Sequence, residues 1–433
     1  MKIKSTIFVL TLLVLFNIDS FAQDNQQKRN ETPFNANIKF SGFVKYDAFY
    51  DTRINEEALE GLVSLYPKAK LADSEGNDLN TKGTFNMLAI ATRLKTEISG
   101  PDAFGAKTTG YFEFDFTGRS NTAALRFREG WIKMKWENTI LLVGRHWHPL
   151  FVDDVFPSAL SMNTGAPFQV FNRSAQISLK QKMGNFIVHA ALISQSDYTS
   201  SGPDGKSANY IKWAQIPNLH LQLQYKSENM VAGVAGDYKM IQPRLYTTSL
   251  IAGNKNTFQT SDKIGSYCFM AYAKFESGKI SMKCKSMYGQ NLSEHLMLGG
   301  YAVSAIDDAT GKETYTPSNN IFAWVNVMYG NKFKVGIFGG YSKNLGFSDN
   351  VIAKKIDGNG RTVENIYGMG NNLAYAYRVS PALIYKTGSL QFSLEMEYTV
   401  ATYGTNDLLD KGKVKDSQEY SNSRLIYTMY FFF

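Results

Sequence analysis

Apolar and polar side chains alternate along most of this chain from Ala36 onward. Between Ile38 and Tyr50, every second residue is aliphatic, aromatic or glycine, and the residues between them are mostly charged or small and polar. Successive side chains of a β-strand point to opposite faces, so the pattern predicts strands with one face for hydrocarbon and one for water. It recurs in about sixteen segments, near 36–50, 85–98, 107–117, 125–136, 139–147, 172–182, 186–196, 218–226, 230–241, 264–276, 279–290, 320–329, 332–342, 373–386, 390–403 and 420–433.

The connections between these segments alternate between short and long. Short turns fall at 137–138, 183–185, 227–229, 277–278, 330–331 and 387–388. Longer polar loops fall at 51–84, 148–171, 197–217, 242–263, 291–319, 343–372 and 404–419. Outer-membrane barrels have short periplasmic turns and longer extracellular loops. We therefore predict an all-β fold, a transmembrane antiparallel up-and-down β-barrel of about sixteen strands, with both ends in the periplasm.

One hairpin can be predicted in register. A two-residue turn at 277–278 pairs Phe275 with Ile280 and places the outward residues of both strands opposite each other. Cys268 then faces inward and Cys284 outward, so the sequence predicts no disulfide between them.

The fourth segment changes phase within itself. Leu125 and Phe127 lie on one phase, whereas Ile132 and Met134 lie on the other. A β-bulge near 129–130 would reconcile the two halves.

The first residues are typical of an export signal. Lys2 and Lys4 precede an apolar run at 7–16, which is too short to span a bilayer. Ser20 and Ala22 supply the small residues that a signal peptidase reads, so we predict cleavage after Ala22. An uncleaved membrane anchor is the alternative.

No run of eighteen apolar residues follows Ala22, so no transmembrane helix is expected. The sequence thus predicts a signal peptide at 1–22, a short periplasmic segment at 23–35 and a barrel at 36–433. This organisation places the protein in the outer membrane of a Gram-negative bacterium.

The composition agrees with a barrel whose interior is wet. Aromatic residues make up 14% of the chain, yet the mean hydropathy is -0.26 and the net charge is +8. An exported protein rarely meets nucleic acid, so no nucleic-acid partner is expected, and a lumen that attracts anions is the better explanation. The alternative is that these charges lie near strand ends and are neutralised by partners. The predicted pore-lining residues are Arg93, Lys95, Arg126, Arg128, Lys283, Lys285 and Arg378.

Candidate catalytic and metal-binding groups are scarce. His146 and His148 share one face of a strand, but no complete ligand set accompanies them, and no metal site is predicted. His189, on the phase of Ile187 with serines nearby, would suit a barrel phospholipase, but nothing fixes a third catalytic partner. The sequence therefore predicts no catalytic residue and no cofactor.

The chain ends on an alternating strand whose last residue is aromatic. Phe431 and Phe433 lie on the lipid-facing phase of this strand. They resemble the terminal signal by which the barrel assembly machinery recognises outer-membrane proteins.

In layout, the whole mature chain resembles the sixteen-stranded trimeric porins. More narrowly, 125–131 (Leu-Arg-Phe-Arg-Glu-Gly-Trp) and 142–147 (Leu-Val-Gly-Arg-His-Trp) look like the strand pair of DcaP-like porins, although Arg145 stands where that family tends to have an uncharged residue. The resemblance implies pore-lining roles for Arg126 and Arg128. It also implies a homotrimer in lipid and lipopolysaccharide and uptake of small organic anions.

The same resemblance draws attention to the third loop, 148–171. In sixteen-stranded porins the loop after the fifth strand folds into the barrel and narrows the pore, and this loop is unusually apolar for one in water. Asp153, Asp154 and Phe156 are the predicted constriction residues, and the two carboxylates would face Arg93 or Arg126. Packing against a neighbouring subunit is the alternative.

Three functions follow from these expectations. The first is passive diffusion of small polar, preferentially anionic, solutes. The second is a substrate-specific channel for a bulkier or apolar ligand, in which loop 51–84 acts as a plug and 56–66 is helical because Leu59, Leu62 and Val63 have helical spacing. The third is a barrel enzyme or an adhesin.

Overall fold

The computed structural model describes residues 37–251, 253–353, 355–356, 362–363 and 365–433; the predicted signal peptide and segment 23–35 lie outside them. Within these residues, sixteen antiparallel strands form a closed barrel. The strands are β1 (Asn37–Asp51), β2 (Thr84–Leu88 and Arg93–Ser99), β3 (Lys107–Asp115), β4 (Arg126–Lys135), β5 (Thr139–Trp147), β6 (Arg173–Met183), β7 (Phe186–Ile193), β8 (Asn218–Lys226), β9 (Met230–Ile241), β10 (Ile264–Ser277), β11 (Ile280–Gln290), β12 (Glu313–Gly330), β13 (Phe333–Phe347), β14 (Leu373–Thr387), β15 (Leu390–Asp407) and β16 (Lys413–Phe432).

The first and last strands close the ring. β1 pairs with β16 from Phe43 opposite Phe432 to Asp51 opposite Arg424. Along β1, Phe40 and Val44 are exposed on the outer surface, whereas Lys45 and Asp47 are buried on the inner one. The predicted barrel and the predicted faces are thus confirmed. The described residues contain no helix long and apolar enough to cross a membrane.

Four strands extend further than the sequence pattern predicted. β12 begins at Glu313, β13 ends at Phe347, β15 ends at Asp407 and β16 begins at Lys413. Their extensions carry polar residues on both faces, so the alternation that reveals a lipid-facing strand ends before the strand does. β2 is also interrupted, between Leu88 and Arg93.

The predicted bulge lies in β4, just before the expected position. Glu113 of β3 is opposite Glu129, and the next residue, Phe114, is opposite Phe127, so Arg128 is the extra residue. As a result, the adjacent side chains of Arg128 and Glu129 are both buried on the inner face.

The predicted register of the β10–β11 hairpin was wrong by two residues. Ser277 pairs with Ile280, so Phe275 lies opposite Met282. The turn begins one residue later because Gly278 takes a left-handed φ of 56°, which the first position of such a turn requires. A shift of two preserves the faces, and both cysteines are free, as expected.

The loops carry short elements of their own. They form hairpins of Asn55–Ala58 with Val63–Pro67, Ser201–Gly202 with Gly205–Lys206, Tyr246–Ile251 with Asn254–Gln259, and Lys355–Ile356 with Thr362–Val363. Gly299–Ile306 and Ile366–Met369 pair with each other, and the helical pieces are α1 (Asn209–Ala214) and the 3-10 turns Pro149–Phe151 and Ser293–His295.

The helix predicted over 56–66 is wrong, because these residues form a hairpin. Leu59, Glu60 and Gly61 have φ values of 55°, 59° and 82°. Three successive left-handed residues reverse the chain and exclude a right-handed helix. The helical spacing of apolar residues instead reflects burial of the second strand, in which Val63 is fully buried.

One half of the lumen is filled by apolar side chains. On the inner face of β10 to β13, Met270, Phe322, Trp324 and Phe338 are buried in one cluster with residues of the third loop. Gly340 on β13 permits this approach, since a Cβ there would lie 2.6 Å from ring carbons of Phe168. The cavities beside the third loop lie along β1, β2 and β4 to β8 instead.

Candidate functional site

The third loop, residues 148–172, contacts lumenal side chains of strands far apart in the ring. Lys285 of β11 donates to the carbonyl oxygens of Leu150 and Phe151, both at 2.8 Å. Trp324 Nε1 of β12 donates to Gln169 Oε1 at 3.0 Å. These bonds hold the loop against β11 and β12.

Further round the ring, three other strands bind the same loop. Arg378 of β14 donates to the Ala166 carbonyl oxygen at 2.9 Å, and Glu395 of β15 accepts from the Leu160 amide at 2.5 Å. The Lys45 ammonium of β1 lies 3.5 Å from the Leu160 carbonyl oxygen. The loop is thereby fixed by charged groups of the wall, and its middle lies beside β1.

The two ends of the loop meet at an arginine surrounded by aromatic rings. Arg173, the first residue of β6, pairs with Trp147, the last of β5, and its guanidinium lies 4.4 Å from the Trp147 ring centroid. Among the described residues, Tyr198 Oη accepts the one hydrogen bond that this guanidinium donates, at 2.7 Å. Among the described residues, no carboxylate pairs with this buried cation, so it adds positive charge at the loop ends.

The predicted constriction carboxylates have basic partners. Asp153 lies 3.0 Å from His146 Nε2, whose Nδ1 is 2.6 Å from Glu129, and Asp154 lies 2.8 Å from Lys226 Nζ. Burial tends to raise the pKa of Asp153, but the hydrogen bond and charge of His146 outweigh it and lower that pKa. Asp153 is therefore an ionised group.

Phe156 is held by a wall lysine. Its carbonyl oxygen accepts from Lys283 Nζ at 3.0 Å, and the same ammonium lies 5.3 Å from its ring centroid. Its ring stacks on Phe151 at 5.3 Å. Lys283 and Lys285, predicted to line the pore, thus serve as anchors of the third loop.

The arginines of β4 are neutralised by carboxylates of β3. Arg128 Nε is 2.5 Å from Glu113 and its Nη1 is 2.9 Å from Asp115. Arg126 binds Asp115 through two nitrogens, at 3.0 and 2.7 Å. For Arg126 and Arg128, the alternative expectation therefore holds: carboxylate partners neutralise these lumenal charges. Arg93 and Lys95 lie farther from Glu113, at 3.4 and 4.0 Å.

Arg378 is buried beneath two loops. Besides Ala166 it donates to the carbonyl oxygens of Ser64 and Leu65, at 3.0 and 2.9 Å, in the hairpin of the first loop. Asn163 Nδ2 of the third loop also contacts the Ser64 carbonyl oxygen, at 3.3 Å. The sequence analysis considered loop 51–84 as a plug under the second function, but it did not predict that Arg378 and the third loop hold it.

Two cavities border the third loop. The eyelet cavity, of about 280 Å³, is lined by Lys45, Arg93, Arg128, Asp153, Phe156 and neighbouring aromatic rings. The wall cavity, of about 350 Å³, is lined by β4 to β8 and by Asp153 and Asp154. Asp153 and Arg93 both line the eyelet cavity, whereas Arg126 lies outside its lining. Trp147 and Asp153 border both cavities.

The histidines do not form the sites that were considered for them. His189 is buried on the lumenal face, 2.7 Å from Ser178 Oγ, so the lipid-facing position that a phospholipase needs is absent. In the described part of the chain, no group of three His, Cys, Asp or Glu side chains is arranged to hold a metal ion.

Comparisons with known proteins agree with this architecture. No family model matches the chain, and no curated protein matches it. The outer membrane channel DcaP of Acinetobacter baumannii superposes with a TM-score of 0.65 at 14% identity, covering 92% of this chain and 97% of that one. OmpT of Vibrio cholerae gives 0.53 at 10% identity, covering 92% and 98%. The anion-selective porin of Comamonas acidovorans gives 0.50 at 9% identity, covering 92% and 100%. The chain therefore has the fold of an outer-membrane porin.

Proposed function

We propose that the protein is an outer-membrane porin through which small polar solutes diffuse passively, anions in preference to cations. The observation that carries this proposal is the charge balance around the passage. Glu113, Asp115, Asp153 and Asp154 are each bound to a basic partner. Among the described residues, by contrast, Lys133 and Lys180 line the wall cavity with no carboxylate in salt-bridge contact.

A low-dielectric wall concentrates the field of such unpaired cations in the lumen. Arg93, which lies 3.4 Å from Glu113, extends this positive potential into the eyelet cavity, whereas the Lys45 ammonium there is paired with Asp47 at 2.8 Å. A ring of sixteen strands leaves a channel that side chains alone cannot close. The two cavities are adjacent, since Trp147 and Asp153 line both, and the proposed path of the solute runs through them beside the third loop.

The remaining parts of the proposal concern location and assembly. We propose export through cleavage after Ala22, insertion into lipid and lipopolysaccharide of the outer membrane, and assembly as a homotrimer. Phe431 and Phe433 support recognition by the barrel assembly machinery, because both side chains are half exposed on the outer face of β16. Small anionic solutes are the proposed ligands.

Reversal potentials of the purified protein in planar bilayers, under a potassium chloride gradient, test the proposal. We expect a sign that indicates chloride preference, and a shift toward zero when Arg93, Lys133 and Lys180 are all changed to Gln. The matched control changes Lys182, Lys279 and Lys332, which are exposed at the short turns, and should shift the potential less. A preference for potassium, or no channel, would contradict the proposal.

The filled half of the lumen supports the second function, a substrate-specific channel. Hairpin 55–67 and the third loop together cover the wall from β11 to β16. Such a channel would show a low basal conductance that increases with its ligand. A constant, ohmic conductance in salt alone would favour the general porin.

A further inference from the structure

We propose that the wall cavity selects among anions, binding monoanionic organic solutes that carry an apolar body in preference to dianions and inorganic anions. This inference rests on the proposed porin function and adds a solute class to it. It depends on three features of one cavity: an apolar floor, two lysines that have no carboxylate partner among the described residues, and an acidic edge.

The apolar floor consists of Ile140 and Leu142 on β5 and Ile187 on β7, all of which line the cavity. The lumenal face of a porin is polar, and none of the three belongs to the apolar cluster beneath the third loop. Aliphatic side chains that share a concave surface in a wet passage favour an apolar ligand.

The donors lie directly beside this floor. Lys133 is opposite Leu142 across the β4–β5 pair, and Lys180 is opposite Ile140 across β5–β6. Trp131 also lines the cavity, and the Lys133 ammonium lies 5.1 Å from the centroid of its ring. Among the described residues no carboxylate is in salt-bridge contact with Lys133 or Lys180, so the two ammonium groups can bind one carboxylate or sulfonate head group.

The acidic edge lies in the third loop. Asp153 and Asp154 border the cavity, and each already has its basic partner, His146 or Lys226. Because His146 and Lys226 are already engaged by these carboxylates, a second negative group on a bound solute would find no free cation at this edge and would lie beside two carboxylates, and like charges repel. The cavity therefore suits a solute with one charged end and one apolar end.

Current interruption by three carboxylates tests the inference. Acetate has the head group alone, hexanoate adds an apolar chain, and adipate has the same chain length with a second carboxylate. A methylene that leaves water completely gains about fourfold in affinity. We expect hexanoate to block at a concentration about tenfold lower than adipate or acetate. Equal block by hexanoate and adipate, or stronger block by adipate, would overturn the inference.

Variants of the apolar floor test whether hexanoate binds in the wall cavity. Ile140→Asn should raise the blocking concentration of hexanoate about fivefold and that of adipate by less. Ile140→Ala offers a milder truncation if the first variant folds poorly, and should shift hexanoate in the same direction. The matched control is Ile384→Asn, at an inward, half-buried isoleucine on β14 outside both cavities, and it should change neither blocking concentration.

This experiment distinguishes failure of the proposed porin function from failure of the inference about the wall cavity. Reversal potentials in potassium chloride are measured first, without organic anions. A preference for potassium refutes the anion-preferring porin, whereas chloride preference without discrimination between hexanoate and adipate refutes only the inference about the wall cavity. An Ile140→Asn effect no larger than that of Ile384→Asn would also refute it.

Discussion

The ammonium group of Lys285 lies 2.8 Å from the carbonyl oxygen of Phe151, which joins the far wall of the barrel to the third loop. Lys285 is buried and its second hydrogen bond goes to the same segment, at Leu150. A hydrogen bond from a charged donor contributes about 1.5–3 kcal/mol. Lys285→Met keeps the apolar stem and removes the donors, so we expect larger and noisier single-channel currents.

Lys279→Met is the control for this change, because Lys279 lies exposed at the turn of the same β10–β11 hairpin, away from the third loop. It should leave the currents unchanged. Currents of Lys285→Met that match the wild type would mean that these bonds do not hold the loop.

Arg128 compensates two buried carboxylates, Glu113 and Asp115. Arg128→Met leaves both buried carboxylates without this partner. Breaking a buried pair from one side costs about 3–5 kcal/mol, so the midpoint of urea unfolding in detergent should fall markedly. Lys39→Met, at an exposed position of β1, should not move it. An unchanged midpoint for Arg128→Met would show that Arg93 and Arg126 suffice.

Arg93 lines the eyelet cavity and is less tightly paired than its neighbours, at 3.4 Å from Glu113. Arg93→Gln should reduce the chloride-to-potassium permeability ratio about twofold, because the charge lost faces the passage. Arg126→Gln removes the same charge from the same wall outside both cavity linings, so its reversal potential should change less. A larger effect of Arg126→Gln would show that the passage runs elsewhere.

Asp153 provides a pH test. Its pKa is below the usual value near 4. Because the folded pKa is lower than the unfolded one, its contact with His146 stabilises the loop at neutral pH and is lost only as pH falls through the lowered pKa. Anion preference should rise below about pH 4, when Asp153 becomes neutral.

Reversal potentials from pH 7 to 3 measure this change. Asp153→Asn should show the stronger anion preference already at pH 7 and lose the acidic transition. If anion preference of the wild type changes well above pH 4, and Asp153→Asn shows the same change, another group is responsible for it.

The final aromatic residue should matter for assembly. Phe433→Ala removes a ring that is half exposed on the outer face, next to the backbone pairing of Phe433 with Gly42. We expect a smaller heat-modifiable, folded fraction in isolated outer membranes. Phe432→Ala is the control, since that ring stacks on Tyr430 instead. An equal loss for both variants would contradict a signal specific to Phe433.

The strands and their faces could be predicted because alternate side chains of a membrane barrel face lipid and lumen, and the sequence alternates between apolar and polar residues accordingly. Where both faces are buried, the alternation weakens. On β12, Phe322 and Trp324 point inward between the outward Ile321 and Val325, and all four are apolar. Lipid covers the outer face of β12, and the third loop covers the inner face. The sequence of β12 alone does not indicate which loop packs there.

The site was harder to predict, because inward orientation alone does not tell which charges remain free. Arg93 and Arg126 were equivalent on the sequence, and only the bulge at Arg128 places Arg126 against Asp115. The wall cavity was not predicted from the sequence. Its one indication there was the apolar run 140–143, which places two aliphatic side chains on a strand face that was predicted to be wet.

The seam between β1 and β16 determines the order in which this molecule can be completed. It joins Gly42 to Phe433, almost the two ends of the described chain, so its closure has the greatest loop entropy to overcome. The third loop, however, packs on β11 to β15, which are synthesised after it. If the loop and hairpin 55–67 dock before the seam closes, they need not enter through the mouth of a closed ring.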